Sequence, residues 1–223
     1  KLQRSAETCS DGNNDETLPY ETLRAHEIYT SDVSNSDVII DLHTTTANMG
    51  ITIIFTEGDA LMGKAAAYAL HKCKTEYGYD NAHILLLPKT EMQHRTHLPS
   101  IGKHDITIEV GPTPQGVIRH DVVEKTEAAM HSLLDFFHKR NIEENYDAKL
   151  METLRKEYPI GVPCYQSAKA TNGKALHGKI QWPVSDDNPN FPAVMIHKDL
   201  QDRDYSLIRK GDPLFVNLDG SIT

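Results

Sequence analysis

Apolar runs alternate with helical patterns along the first 140 residues of the chain. Four short apolar stretches predict β-strands at 38–43, 51–55, 82–87 and 106–110. Apolar positions at helical spacing predict helices at 19–29, 59–77 and 122–140. Strands that alternate with helices are typical of an α/β fold, and we expect helices on both faces of the sheet.

The pattern changes after Asn141. Six prolines, from Pro159 to Pro213, interrupt the remaining chain. Because proline removes a backbone donor and stops helices and central strands, this part is predicted to form short extended pieces. The chain is therefore predicted to contain an α/β domain over residues 1–144 and a smaller β-rich module over residues 145–223.

Charge and composition narrow the range of partners. The net charge of −9 argues against nucleic-acid binding. No apolar run approaches the roughly 20 residues that a membrane span needs. Cys9, Cys73 and Cys164 are far apart and form no CxxC pair, and the segment after Lys1 has no signal-peptide pattern. We therefore expect a cytoplasmic protein without nucleic-acid or membrane partners.

Two polar side chains at strand ends carry the candidate chemistry. His43 follows the first predicted strand, and Glu109 interrupts the fourth. Ligands of open α/β sheets bind beyond the carboxyl ends of strands, and an imidazole with a carboxylate suits metal-assisted hydrolysis. Two structural alternatives stay open. His43 could simply bond Asp41 or Thr45, and Glu109 could be a buried acid paired with a base such as Arg119.

The loop that follows Glu109 has the sequence Gly-Pro-Thr-Pro-Gln-Gly over residues 111–116. Its prolines restrict φ, and its glycines permit conformations that other residues avoid. The loop is either a plain tight turn or a stiff wall beside a site. In the second case it would present Arg119, whose guanidinium can bind a carboxylate through two hydrogen bonds.

Motifs spread along most of the chain resemble a known family. They are Leu18-Pro19-Tyr20-Glu21, Ile40-Asp41-Leu42-His43, Ile108-Glu109-Val110-Gly111-Pro112, Leu200-Gln201-Asp202-Arg203-Asp204 and Gly211-Asp212-Pro213. In this order they resemble the aspartoacylase and aminoacylase III family of zinc-dependent N-acyl amino acid amidohydrolases. The resemblance implies a carboxypeptidase-like α/β fold, in which a central mixed sheet is flanked by helices and followed by a β-rich module.

The resemblance also implies roles for single residues. His43 matches a ligand of the zinc cofactor, and Glu109 matches the catalytic general base. Arg4, at the end of Leu2-Gln3-Arg4, matches an arginine that binds the substrate carboxylate, a role that Arg119 could share. The family's other two zinc ligands come from a His-Gly-x-Glu stretch, which we expect upstream of Lys1. The family's closing segment is likewise expected beyond Thr223.

The expected activity is aspartoacylase-like hydrolysis of an N-acetyl amino acid to the amino acid and acetate. The expected partner is this small-molecule substrate, and a homo-oligomer is expected. Pro99 stands where aspartoacylase has an arginine that grips the acidic side chain. An aminoacylase III-like activity on N-acetyl aromatic amino acids or cysteine conjugates therefore stays open. So does a non-catalytic family member with an incomplete metal site.

Overall fold

The seven strands and helices predicted from the hydrophobic pattern agree with those of the structure to within two residues at either end. A computed structural model describes residues 19–89, 101–166, 183–184 and 193–223. Its helices are α1 (Tyr20–Thr30), α2 (Ala60–Thr75), α3 (His120–Ile142) and α4 (Tyr146–Glu157). Its strands are β1 (Val38–Thr44), β2 (Gly50–Thr56), β3 (Ala82–Leu87), β4 (His104–Gly111), β5 (Tyr165–Gln166), β6 (Val194–Ile196) and β7 (Phe215–Asn217). None of the helices in these ranges is long and apolar enough to span a membrane.

The main sheet is mixed, with strand order β1-β4-β2-β3-β5. Strand β4 runs parallel to β1 and antiparallel to β2, and β3 runs parallel to both β2 and β5. The carboxyl ends of β1 and β4 therefore meet at the same edge of the sheet. The predicted α/β fold, a central mixed sheet flanked by helices, is confirmed.

The two faces of the sheet differ in chemistry. One face carries buried isoleucines such as Ile53, Ile84 and Ile108, and α2, α3 and α4 pack against it around Leu70 and Leu133. At the intervening strand positions the other face carries polar side chains such as Glu109 and Thr52, together with Ile54 and Leu85. Of the described helices, these three lie on the same face, so the expectation of helices on both faces is not confirmed for them.

Helix α4 corrects the prediction that the chain after Asn141 forms only extended pieces. Its buried side chains are Tyr146, Leu150 and Leu154, which lie four residues apart and join the main core. Extended structure returns later, where β6 and β7 form a separate two-stranded antiparallel sheet. The division of the chain into domains at residues 144 and 145 stays a prediction.

A charged cluster joins α2 to α3 beside the core. The Asp135 carboxylate accepts hydrogen bonds from the Tyr68 hydroxyl, from Lys72 Nζ at 2.6 Å and from Lys139 Nζ at 3.0 Å. Burial disfavours the charged carboxylate, but the bonds from the lysines and the tyrosine outweigh it and lower the pKa of Asp135. The cluster thus ties together the two helices that support the sheet.

The loops after β1 and β4 are joined to each other by backbone hydrogen bonds. The Thr45 N–H donates to the Val110 carbonyl at 3.1 Å, and the Thr113 N–H donates to the Thr45 carbonyl at 2.8 Å. A Cβ atom at Gly111 would collide with the carbonyl oxygens of Thr45 and Ala47. Only glycine permits this approach, which holds the two strand ends in register.

We predict that Gly111→Ala destabilises the protein, because the backbone of residues 45–47 has to move. Forcing a methyl group into packed structure costs about 1–3 kcal/mol. The matched control is Gly63→Ala in α2, where the added Cβ would lie 3.6 Å from the Phe55 ring, an ordinary contact. That variant should gain about 1 kcal/mol from helix propensity. Urea unfolding measures both free energies, and equal stability of the two variants would contradict the packing argument.

Candidate active site

Strand register brings His43 and Glu109 side by side. His43 pairs with Glu109 between β1 and β4, and Glu109 pairs with Thr52 between β4 and β2. Thr52 in turn pairs with His83 of β3. Paired residues point to the same face of a sheet, so these four side chains form one row across four strands. The row lies on the face opposite α2, α3 and α4, near the carboxyl ends of β1 and β4.

Asp41 orients the His43 ring. The two residues are two apart on β1 and therefore share a face, and His43 Nε2 lies 3.0 Å from Asp41 Oδ2. Because a carboxylate only accepts, Nε2 is the donor in this contact, and Nδ1 is the nitrogen left for a metal ion. The His43 side chain is 54% exposed, whereas that of Asp41 is 18% exposed. The acceptor is thus sheltered while the imidazole faces solvent.

This arrangement fits a single ligand of a zinc ion. Metal-binding histidines commonly donate their second ring N–H to a carboxylate, as His43 does to Asp41. Zinc in hydrolases takes about three protein ligands. Within the part of the chain that the structure describes, no three His, Cys, Asp or Glu side chains lie close enough to hold a metal ion. His43 offers one donor, and a set of three protein ligands would need at least one residue from outside these ranges.

Arg119 is engaged by its own neighbour. Its Nε and one terminal nitrogen donate to the two oxygens of Asp121 at 3.0 and 2.8 Å. The sequence left open an ion pair between Arg119 and Glu109, but these two bonds of Arg119 go to Asp121. A substrate carboxylate at Arg119 would have to share the guanidinium with Asp121, and the substrate role stays a prediction. Arg4 and Pro99 lie outside the described residues.

Tyr205 covers the row from the C-terminal part of the chain. Its hydroxyl lies 3.1 Å from Thr52 Oγ1, and its ring centroid lies 4.3 Å from that of His83 and 4.4 Å from that of Tyr165. Burial raises the pKa of Tyr205. The hydrogen bond with Thr52 opposes this rise, and nearby negative charges, Glu109 among them, add to it. The phenol therefore stays protonated and can donate a hydrogen bond.

The segment that carries Tyr205 has an unusual backbone. Asp202 has φ 56° and Tyr205 has φ 60°, in the left-handed region that non-glycine residues seldom adopt. The Asp202 carbonyl accepts a hydrogen bond from Asn48 Nδ2 at 2.5 Å. Asn48 belongs to the loop that follows β1, so this bond attaches the segment to the edge of the sheet that carries His43.

The sequence identifies only part of this site. The strand-end positions of His43 and Glu109, and the option of an Asp41 bond, follow from local patterns. Sequence patterns do not single out Thr52 and Tyr205, because their contact joins positions 153 residues apart. The nearest sequence signal is the motif at residues 200–204, which ends one residue before Tyr205.

Comparison with known proteins points to one family. The family model of the succinylglutamate desuccinylase/aspartoacylase catalytic domain matches residues 3–137. That match spans β1 to β4 and includes His43 and Glu109.

Individual relatives agree with this match. An N-acyl-aromatic-L-amino acid amidohydrolase (carboxylate-forming) of Xenopus laevis is 35% identical over 212 residues, which cover 92% of this chain and 60% of that protein. The aspartoacylase of Rattus norvegicus is 33% identical over 214 residues, or 93% of this chain and 60% of that protein. The chain thus spans about 60% of the length of these curated relatives.

A solved structure has the same fold. The crystal structure of murine aminoacylase 3 superposes with a TM-score of 0.65 at 25% sequence identity, over 95% of this chain and 63% of that chain. The matched family model, the two relatives and the shared fold lead to the same conclusion. The chain belongs to the succinylglutamate desuccinylase/aspartoacylase family.

Proposed function

We propose that the protein is a zinc-dependent amidohydrolase that removes an acyl group, acetyl in the first instance, from N-acyl amino acids. The observation that supports this most directly is the register pairing of His43 with Glu109 at the carboxyl ends of neighbouring strands. A histidine that can bind a metal ion and a carboxylate that can act as a general base are two of the groups that metal-assisted amide hydrolysis uses. The names of the relatives add support, since both act on N-acyl amino acids.

Each residue in the row has a proposed task. His43 would hold the zinc ion through Nδ1 while Asp41 keeps the ring in one orientation. A zinc ion there would polarise the substrate carbonyl and make water a better nucleophile at neutral pH. Glu109 would take the proton from the attacking water and pass it to the departing amine. Arg4 and Arg119 would meet the substrate carboxylate.

Two substrate classes are candidates within this reaction. The first is N-acetylaspartate, as in the rat relative named aspartoacylase. The second is N-acetyl aromatic amino acids or cysteine conjugates. A relative named for aromatic substrates, at 35% identity, favours this second class, as does proline in place of arginine at position 99.

A cytoplasmic location is part of the proposal. Cys73 and Cys164 are free thiols, which is typical of a reducing compartment. Burial raises the pKa of Cys73 to about 11, so it remains a neutral thiol at physiological pH. The homo-oligomeric state stays a prediction.

In the natural full-length protein, Glu109→Gln should lower kcat for hydrolysis of an N-acetyl amino acid by about 10²–10⁴-fold, because the amide cannot accept the proton. The fold should persist, since the substitution keeps the size of the side chain. Steady-state kinetics and thermal unfolding measure the two effects. The control is Glu127→Gln on the exposed face of α3, which should leave both unchanged. Full activity of Glu109→Gln would exclude Glu109 as the base.

A panel of N-acetyl-L-aspartate, N-acetyl-L-phenylalanine and an S-substituted N-acetyl-L-cysteine separates the substrate classes. If N-acetylaspartate is the substrate, kcat/KM should be at least about tenfold higher for the aspartate derivative than for the other two compounds. A charged side-chain subsite typically gives a discrimination of this size. Measured acetate release gives each value. A preference of the same size for the aromatic or cysteine derivatives would reject the first candidate in favour of the second.

A further inference from the structure

We propose that Tyr205, acting with Thr52, is a positioning residue that holds the Glu109 carboxylate towards His43. The inference rests on the general-base role proposed above for Glu109. It assigns a function in catalysis to a side chain that is remote in sequence from both strands of the site. The starting observation is the hydrogen bond that joins Tyr205 to the centre of the polar row.

Glu109 has two lateral neighbours in the sheet. His43 lies on the β1 side and Thr52 on the β2 side. Directly opposed residues on neighbouring strands have Cβ atoms about 4.5–5.5 Å apart, so each neighbour limits the rotamers of Glu109. The direction that the carboxylate takes therefore depends on what occupies the space over Thr52.

Tyr205 occupies that space. Thr52 is fully buried, and its hydroxyl donates to the Met49 carbonyl at 3.2 Å. Because the hydroxyl has one proton, its bond with Tyr205 is one in which Tyr205 donates. The tyrosine ring also lies against His83, the next member of the row. The tyrosine therefore lies against Thr52, the neighbour of Glu109 on the side away from His43.

The tyrosine is held firmly enough to act as a wall. Its ring packs against both His83 and Tyr165, which also contact each other, and Asn48 anchors the same segment through Asp202. Left-handed backbone at a tyrosine costs free energy and persists only where the surroundings over-determine it. Such positions cluster at functional sites, so the conformation is a reason to seek a role beyond packing.

Electrostatics agree with this placement. The negative charge of Glu109 is close enough to help raise the pKa of Tyr205. The Tyr205 ring would keep water away from one side of the Glu109 carboxylate. We expect the ring to block the Thr52 side, which would leave Glu109 the directions towards His43 and towards solvent. Proton transfer gains from such a restriction, because small misplacements of catalytic groups cost up to about 100-fold in rate.

The first test measures the orientation of Glu109 without using activity. Three-bond NMR couplings across χ1 of Glu109 report whether one rotamer or several are populated. The expected result is a single rotamer in the natural full-length protein and averaged couplings in Tyr205→Ala. Tyr20→Ala, an exposed tyrosine on α1, is the matched control and should keep the single rotamer. Unchanged couplings in Tyr205→Ala would overturn the proposal.

The second test uses hydrolysis of the best N-acetyl amino acid. Tyr205→Phe and Thr52→Val each remove the bond between the two hydroxyls, and each should lower kcat about tenfold with KM within about twofold. The double variant should be no worse than Thr52→Val alone, because that substitution already removes the partner of the Tyr205 hydroxyl. Thr52→Ser keeps the hydroxyl and should restore kcat. Equal loss of stability and activity, or no rescue by serine, would indicate a structural role only.

The two tests fail separately. If the natural protein hydrolyses no N-acyl amino acid, the proposed function is wrong, while the NMR couplings still report whether Tyr205 restrains Glu109. If the protein is active but Tyr205→Phe and Thr52→Val keep full kcat, the positioning role is wrong and the proposed function stands.

Discussion

The register of β4 between β1 and β2 is the constraint on which the site depends. It sets His43, Glu109 and Thr52 in a single row through two different pairings, one parallel and one antiparallel. A slip of one residue would turn Glu109 to the helical face and one of its apolar neighbours to the site. The fully buried Ile108 makes that slip costly, since it would leave the core. Hydrophobic burial on one face thereby determines the chemistry on the other.

The loops at the edge of the sheet add a second level of control. Gly111 lets the loop after β4 approach the backbone of the loop after β1, and Thr45 bonds to both Val110 and Thr113. Asn48, in the loop after β1, donates a hydrogen bond to the carbonyl of Asp202, which belongs to the C-terminal part of the chain. The ligand candidate, the base candidate and the covering segment are therefore attached to one small region of backbone.

The local sequence predicts those features of the structure that depend on neighbouring residues. The strands β1 to β4 follow from apolar runs, and the Asp41–His43 bond follows from their spacing of two on a strand. Helix α4 does not follow in this way, because its narrow apolar stripe at Tyr146, Leu150 and Leu154 lies in a highly charged segment that precedes the prolines. The stripe is buried by tertiary packing, which a propensity argument does not include.

Long-range contacts set the limit of prediction for the site. Nothing in the sequence around Thr52 indicates that a tyrosine 153 residues later will bond its hydroxyl. The order of the strands in the sheet is equally hard to predict from the sequence, because β4 lies between β1 and β2 and not beside β3. Patterns along the chain identify the elements and their buried faces, whereas the order of the strands depends on how all of them pack together.

The most direct test of the site is the zinc content of the natural full-length protein, measured by elemental analysis in the wild type, in His43→Ala and in the control His131→Ala. His131 is exposed on α3, so its loss should not affect the metal. A site built on His43 predicts about one zinc per chain in the wild type and in the control, and a large loss in His43→Ala, as expected when one of about three protein ligands is removed. Undiminished zinc in His43→Ala, or no zinc in the wild type, would contradict it.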